Sequence, residues 1–166
     1  SIRAGQIVRR LRDYVSRGEL DMRPVELLEV VEDATSLAKV GFEGQLARVI
    51  AQIPKDFPSV LADRLQLRQA IVNLIRNAIE ALTDTANPQI WVSAEIEGDL
   101  AHISIEDNGP GIPGADESSP FDAFNSTKPG GMGLGLSICQ TIMDAHGSLI
   151  EYAPSSKGGA AFKFTL

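Results

Sequence analysis

The stretch "RLQLRQAIVNLIRNAIEAL", residues 64–82, limits the architectures open to this chain more than any other segment. Leu67, Ile71, Leu74, Ile75, Ala78 and Leu82 recur at spacings of three, four and seven, which predicts a helix over 64–82 with one apolar stripe. A stripe of that kind has to be buried against a second layer. The second layer is written further along. "QIWVSAEI" and "LAHISIE" each alternate apolar and polar residues, with Glu97-Gly98-Asp99 between them, and predict a β-hairpin. Apolar residues are 43% and charged residues 22% of 166, enough for one domain with a sizeable core.

The remaining elements fit around these two. Residues 2–17 read as a helix, with Ile7, Leu11, Tyr14 and Val15 at helical spacing and Gly18 as its stop. "RPVELLEVVEDATSLA" (23–38) reads as a helix with Pro24 in its first turn. Residues 46–53 and 59–62 read as short strands on either side of Pro54, Lys55 and Asp56. Residues 108–131 are rich in Gly, Pro, Ser and Asp and predict a long loop. A helix over 133–146 is stopped by Gly147, and strands at 148–152 and 160–166 flank "PSSKGG". Runs of adjacent strands with separate helices predict a two-layer α+β sandwich, without internal repeat or linker. The net charge of −7 disfavours a nucleic-acid partner, and the single cysteine, Cys139, excludes an internal disulfide. No stretch approaches the roughly 20 apolar residues of a membrane span, so no membrane contact is expected. Ser1 in place of an initiator methionine is expected of a piece cut from something longer.

Two glycine-rich stretches compete as phosphate sites. "GPGIPG" (109–114) matches G-x-G-x-x-G, but Pro110 and Pro113 each remove an N–H that a dinucleotide-binding loop would aim at pyrophosphate. No G-K-[ST] tripeptide exists for a Walker A loop. "GGMGLGLS" (130–137) leads straight into a helix, whose first N–H groups make an anion site; a glycine hinge at a helix start is the plainer alternative.

The helix over 64–82 carries a second stripe, Gln69, Asn73, Asn77 and Glu80. Asparagines four apart point together, and asparagine is a mediocre residue in mid-helix. An exposed polar face is one reading. The other is a pair of amide oxygens offered to a ligand or to Mg²⁺ already partnered by phosphates. Asp107 ends an alternating strand where "DNGPGIP" begins. Its carboxylate is an acceptor matched to a purine amino group, with Gly109 and Gly111 letting backbone approach a flat ring. A common Asp-Asn-Gly turn is the alternative.

In this order and spacing the stretches resemble the four boxes of the GHKL (Bergerat) ATP-binding fold, and within it the catalytic domain of FixL-type sensor histidine kinases. "NLIRNAIEAL" resembles the N box, "DNGPGIP" the G1 box, "FDAF" the F box and "GGMGLGLS" the G2 box. The resemblance covers roughly residues 20 to 166, and "IRAGQIVRRLRDYVSRGE" resembles the end of a dimerisation helix. It implies a mixed, mostly antiparallel sheet packed on three helices. It further implies a dimerisation-helix piece over 1–18, a catalytic domain over 19–166 and an ATP lid at about 112–132. The cofactors implied are ATP and Mg²⁺. Asn77 would ligate the metal, with Asn73 beside it near the phosphates. Asp107 would bind the adenine amino group, with Gly109 and Gly111 beside the ring. Gly131, Gly133, Leu134, Gly135 and Leu136 would hold phosphates, with Thr127 and Lys128 in the lid and Arg76 a further candidate for phosphate charge. The implied partners are the protein's own phosphoacceptor domain, a response-regulator receiver and a second copy in a homodimer, and the implied location is cytoplasmic.

Two departures from the family pattern stand out. Ala161 falls where such folds often carry a threonine that reaches adenine through water, and Ala123 replaces the proline of F-x-P-F. His102 and His146 lack the following acidic residue of a phosphoacceptor and read as structural, as do Cys139, Met143 and Trp91. A hydrolytic GHKL ATPase would need a glutamate four residues before the metal-binding asparagine, where Asn73 stands; a binding module without chemistry is the other rival.

Overall fold

The computed structural model describes residues 20–112, 119–121 and 135–166. The helix read over 2–17, most of the lid, Pro113, Ala123, Thr127, Lys128, Gly131, Gly133 and Leu134 lie outside them. The described elements are β1 (Met22–Val25), α1 (Leu27–Ala38), β2 (Arg48–Gln52), β3 (Val60–Asp63), α2 (Arg64–Ala81), β4 (Gln89–Glu97), β5 (Leu100–Asp107), a 3-10 turn (Ser119–Phe121), α3 (Gly135–Ala145), β6 (Glu151–Pro154) and β7 (Ala160–Thr165). The main sheet has strand order β2-β4-β5-β7-β6, in which only the β2–β4 pair is parallel. The three helices cover one face of it, so the α+β sandwich with a mixed, mostly antiparallel sheet is found as expected.

The apolar stripe of α2 explains the layering. Leu67, Ile71, Leu74, Ile75, Ala78 and Leu82 are all buried, in one core with Ile90 and Val92 of β4, Ile103 and Ile105 of β5, and Phe162 and Phe164 of β7. On a twisted sheet covered on one side, strand alternation puts Trp91, Ser93, Glu95, His102, Ser104, Glu106 and Lys163 on the outer face, in register across β4, β5 and β7. Trp91 is thus a hairpin-face residue, with the Lys157 ammonium 4.6 Å from its ring centroid. Cys139 and Met143 of α3 are fully buried. The Cys139 thiol lies 3.3 Å from the Ala70 carbonyl, and burial pushes its pKa up to about 12.

Two boundaries differ from the sequence reading, at Pro24 and at residue 148. Pro24 does not open a helix: it sits in β1, opposite Leu61 of β3, and α1 begins only at Leu27 with Glu26 extended at φ −77°, ψ 104°. In a two-stranded ribbon every strand is an edge, where the missing N–H of proline is tolerated. The short strands on either side of Pro54–Asp56 are found, β2 in the main sheet and β3 in the ribbon. β6 starts at Glu151 instead of residue 148, because Ser148 is spent on the end of α3. Gly147 at φ +71° and the Ser148 N–H to Met143 carbonyl bond of 2.9 Å form a Schellman cap. No helix among the described residues is long and apolar enough to cross a membrane.

His146 ties α3 to the start of α2. Its Nε2 accepts the Asp63 N–H at 3.1 Å and its Nδ1 donates to the Ile142 carbonyl at 2.8 Å, which requires the neutral, Nδ1-protonated ring. Asp63 in turn caps α2 through the Gln66 N–H at 3.2 Å and accepts the Asp21 N–H at 3.1 Å. His146→Ala is therefore expected to lower stability by about 1–2 kcal/mol in urea unfolding, since it strips a partner from a half-buried N–H. His102→Ala, at an exposed site, should change it by less than about 0.5 kcal/mol. Equal costs would contradict this reading of His146.

Candidate functional site

α2 sets the geometry of the site by touching both glycine-rich boxes. At its Asn73 level it meets the start of α3. The Asn73 Nδ2 donates to the Gly135 carbonyl at 3.5 Å, and a Cβ on Gly135 would lie 4.0 Å from Asn73 Cβ. Asn73 Oδ1 accepts from Gln69 Nε2 at 2.8 Å, one turn earlier on the same stripe. At the other end, the turn after β5 abuts the last residues of α2: a Cβ on Gly109 would lie 3.3 Å from Leu82 Cδ2 and 3.4 Å from the Ala81 carbonyl. Eight residues of helix rise about 12 Å between those two contacts. Asn77 is half-buried midway along that span. The two ends of a nucleoside triphosphate are separated on the same order.

Asp107 is the buried acid of the site, 3% exposed. A buried carboxylate needs hydrogen-bond donors in place of water. Its Oδ1 accepts the Gly109 N–H at 2.9 Å and the Ala160 N–H at 3.3 Å, from two different strands' ends. The turn behind it is pinned by Asn108, whose Oδ1 accepts the Gln89 N–H at 2.8 Å and whose Nδ2 donates to the Asn87 carbonyl at 2.9 Å. The Asp-Asn-Gly turn and the buried acceptor therefore coexist: Asn108 makes the turn and Asp107 faces inward. Gly111 follows at φ +75°, a conformation that a side chain would strain.

The F box is represented by Phe121, which is buried and packs edge-on against Phe162 of β7 with ring centroids 5.8 Å apart. Phe162 also contacts Tyr152, with ring centroids 5.6 Å apart, so Phe121 is anchored on an aromatic pair of the sheet. Leu136 packs against the main core as the first turn of α3 begins. The Arg76 guanidinium reaches the Val40 carbonyl at 3.4 Å and stacks 5.1 Å from the Phe42 centroid, bracing the loop after α1.

Two residues escaped the sequence reading. Gly159 packs against Asp107, and its N–H donates to the Asp107 carbonyl at 3.1 Å. Ala160, not Ala161, stands on the Asp107 face. Ala161 pairs with Glu106 and shares its outer face, whereas Ala160 belongs to the core cluster. A one-residue offset in a strand exchanges faces, and only the register reveals which residue is which.

A family profile described as "Histidine kinase-, DNA gyrase B-, and HSP90-like ATPase" matches residues 62–166. The chain belongs to this family of ATPase domains. Among its members it is similar to sensor kinases. It is 38% identical over 167 residues to the sensor protein FixL of Bradyrhizobium diazoefficiens, covering 100% of this chain and 33% of that protein. It is 35% identical to the C4-dicarboxylate transport sensor protein DctS of Rhodobacter capsulatus, covering 99% of this chain and 25% of that one. The chain thus spans a third or less of these relatives. In structure it resembles the histidine kinase ThkA solved in complex with the response regulator protein TrrA, with a TM-score of 0.76 at 27% identity over 99% of this chain and 47% of that one.

Proposed function

We propose that this chain is the ATP-binding catalytic domain of a two-component sensor histidine kinase. In this reading it transfers the γ-phosphoryl group of ATP to a histidine on a dimerisation helix outside the chain, for onward transfer to a response-regulator receiver. The observation that carries the reading is the way α2 joins a buried acceptor at one end, Asp107, to a helix N-terminus at the other, Gly135, with an amide, Asn77, between them. Asp107 accepts from the adenine amino group. The N–H groups opening α3 and the dipole of that helix attract phosphate. In the same reading Gly131, Gly133 and Leu134 would hold phosphates with Gly135 and Leu136, and Thr127 and Lys128 would serve from the lid.

The site fits a divalent ion only through a bound nucleotide. Among the described residues no group of three or more His, Cys, Asp or Glu side chains is placed to hold a metal. An uncharged amide oxygen at Asn77 is the donor expected beside Mg²⁺ whose other ligands are phosphate oxygens and water. When bound, the ion would offset charge on the transferring phosphate. The chain's own part is to hold the base at Asp107, to orient the phosphates at the start of α3 and to present no competing base. Asn73 occupies the position of a hydrolase's glutamate, and both ends of its amide are engaged, with Gln69 and with Gly135. It takes no proton from water, which favours transfer over hydrolysis.

The same reading makes residues 1–18 the end of the dimerisation helix and 19–166 the catalytic domain of a cytoplasmic, homodimeric portion of the parent. Titration of the chain with ATP in the presence of Mg²⁺ tests its first step. We expect saturable binding that weakens at least tenfold when Mg²⁺ is chelated. Absence of saturable ATP binding would overturn the reading.

A further inference from the structure

Adjacent glycines at 158 and 159 serve different purposes. Gly158 has φ +110° and nothing within 4 Å of the place where a Cβ would stand, so it serves the turn between β6 and β7. Gly159 is absent from the positive-φ positions, so its backbone would suit any residue. What it lacks is space. A Cβ there would fall on Asp107 Oδ1, 2.6 Å from the Asp107 carbonyl oxygen and 2.7 Å from the Gly109 nitrogen. None of these is the loose end of a flexible side chain. Two are main-chain atoms, and the third belongs to a carboxylate held by the Gly109 and Ala160 N–H groups at 2.9 and 3.3 Å. Gly159 is itself fixed on both sides: its N–H donates to the Asp107 carbonyl at 3.1 Å and its carbonyl accepts the Ser155 N–H at 2.7 Å. On the Asp107 side, that main-chain atom belongs to the residue whose carboxylate the added Cβ would meet.

We propose that Gly159 is a positioning residue for base recognition: its missing side chain sets the depth and orientation of the Asp107 carboxylate, so that the segment entering β7 fixes adenine specificity together with the turn after β5. The proposal rests on the reading of Asp107 as the acceptor for the adenine amino group. A carboxylate displaced by the width of a methyl group no longer meets an amino hydrogen in line, and hydrogen bonds weaken steeply off their axis. The phosphate end of this reading, at Asn77 and the start of α3, meets α2 at the Asn73 level rather than at Gly109 and would be kept.

The test compares ATP with purine riboside triphosphate, which lacks the amino group, on the wild-type chain, Gly159→Ala and Gly158→Ala, each also followed by thermal unfolding. The wild-type chain should prefer ATP by roughly 10- to 100-fold, the scale on which a site built for a hydrogen bond rejects a ligand that lacks it. Gly159→Ala should bind both nucleotides alike, within about threefold of the wild-type affinity for the des-amino compound. Gly158→Ala should unfold at lower temperature yet keep the preference. A folded Gly159→Ala that keeps the preference overturns the proposal, as does one that loses both nucleotides equally. Should Gly159→Ala not fold, adding Asp107→Ala must restore part of its stability; no restoration also overturns it. A wild-type chain without any preference for ATP instead refutes the role of Asp107 itself, a separate result.

Discussion

Asn77→Ala is expected to weaken Mg²⁺-ATP binding by about a hundredfold or more, and Asn73→Ala by less than about tenfold. The first loss is that of a direct ligand, and even outer partners of a metal site are worth about 10- to 100-fold. Without the Asn77 oxygen nothing else on the exposed stripe of α2 offers an uncharged donor at that height: Gln69 is committed to Asn73. Asn73 itself joins Gln69 to the Gly135 carbonyl. Its removal loosens the junction of α2 and α3, which lowers stability and blurs the phosphate end of the site without deleting a ligand. Calorimetric titration with Mg²⁺ and again with a chelator separates the two effects. In the chelated arm, Asn77→Ala should match the wild-type chain. Equal losses for both variants in the Mg²⁺ arm would remove Asn77 from its assigned role.

The contrast between these asparagines shows which parts of the molecule were written locally. The stripes of α2 and the β4–β5 hairpin follow from side-chain periods of 3.6 and 2 within one segment, so the helix and both strands could be read directly. Asp107 could be singled out because it ends an alternating strand where a glycine-rich stretch begins, although an Asp-Asn-Gly turn alone is common. Pro24 misled, since the same fixed φ suits a first helical turn and an edge strand, and the choice lay with β3, far along the chain. Ala160 and Gly159 were hidden for a like reason. Their meaning comes from lying beside Asp107 on an adjoining segment, and nothing in "GGAAF" states which alanine faces inward. Arg76 stands one residue from Asn77, and nothing in the sequence told that its guanidinium meets Phe42 and the Val40 carbonyl. His146 is structural for a reason invisible in sequence: both of its ring nitrogens are used by backbone groups.

Incubated alone with γ-labelled ATP and Mg²⁺, the chain should bind the nucleotide and carry no acid-labile phosphate. In-line transfer needs a histidine nitrogen held opposite the leaving group, at about 3–3.5 Å. The chain has two histidines. His146 lies just past the C-terminal end of α3, whereas the phosphate end of the site lies at Gly135. The ten residues between Gly135 and Ala145 rise about 15 Å. Its Nε2 is moreover occupied by the Asp63 N–H. His102 has an acidic neighbour, with its Nε2 3.3 Å from Glu97 Oε2, and so carries the pairing an acceptor would want. It lies, however, on the outer face of the sheet beside Thr165, with the sheet between it and α2. Water is not a ready substitute, since Asn73 offers an amide where a base is required. Label should therefore appear only when a separate domain bearing a histidine and a neighbouring acid on a helix is supplied, and then on that domain. Acid-labile label on the isolated chain, abolished by His102→Ala or by His146→Ala, would overturn this assignment. Rapid release of labelled phosphate without any acceptor would instead make the chain a hydrolase and Asn73 no barrier to it.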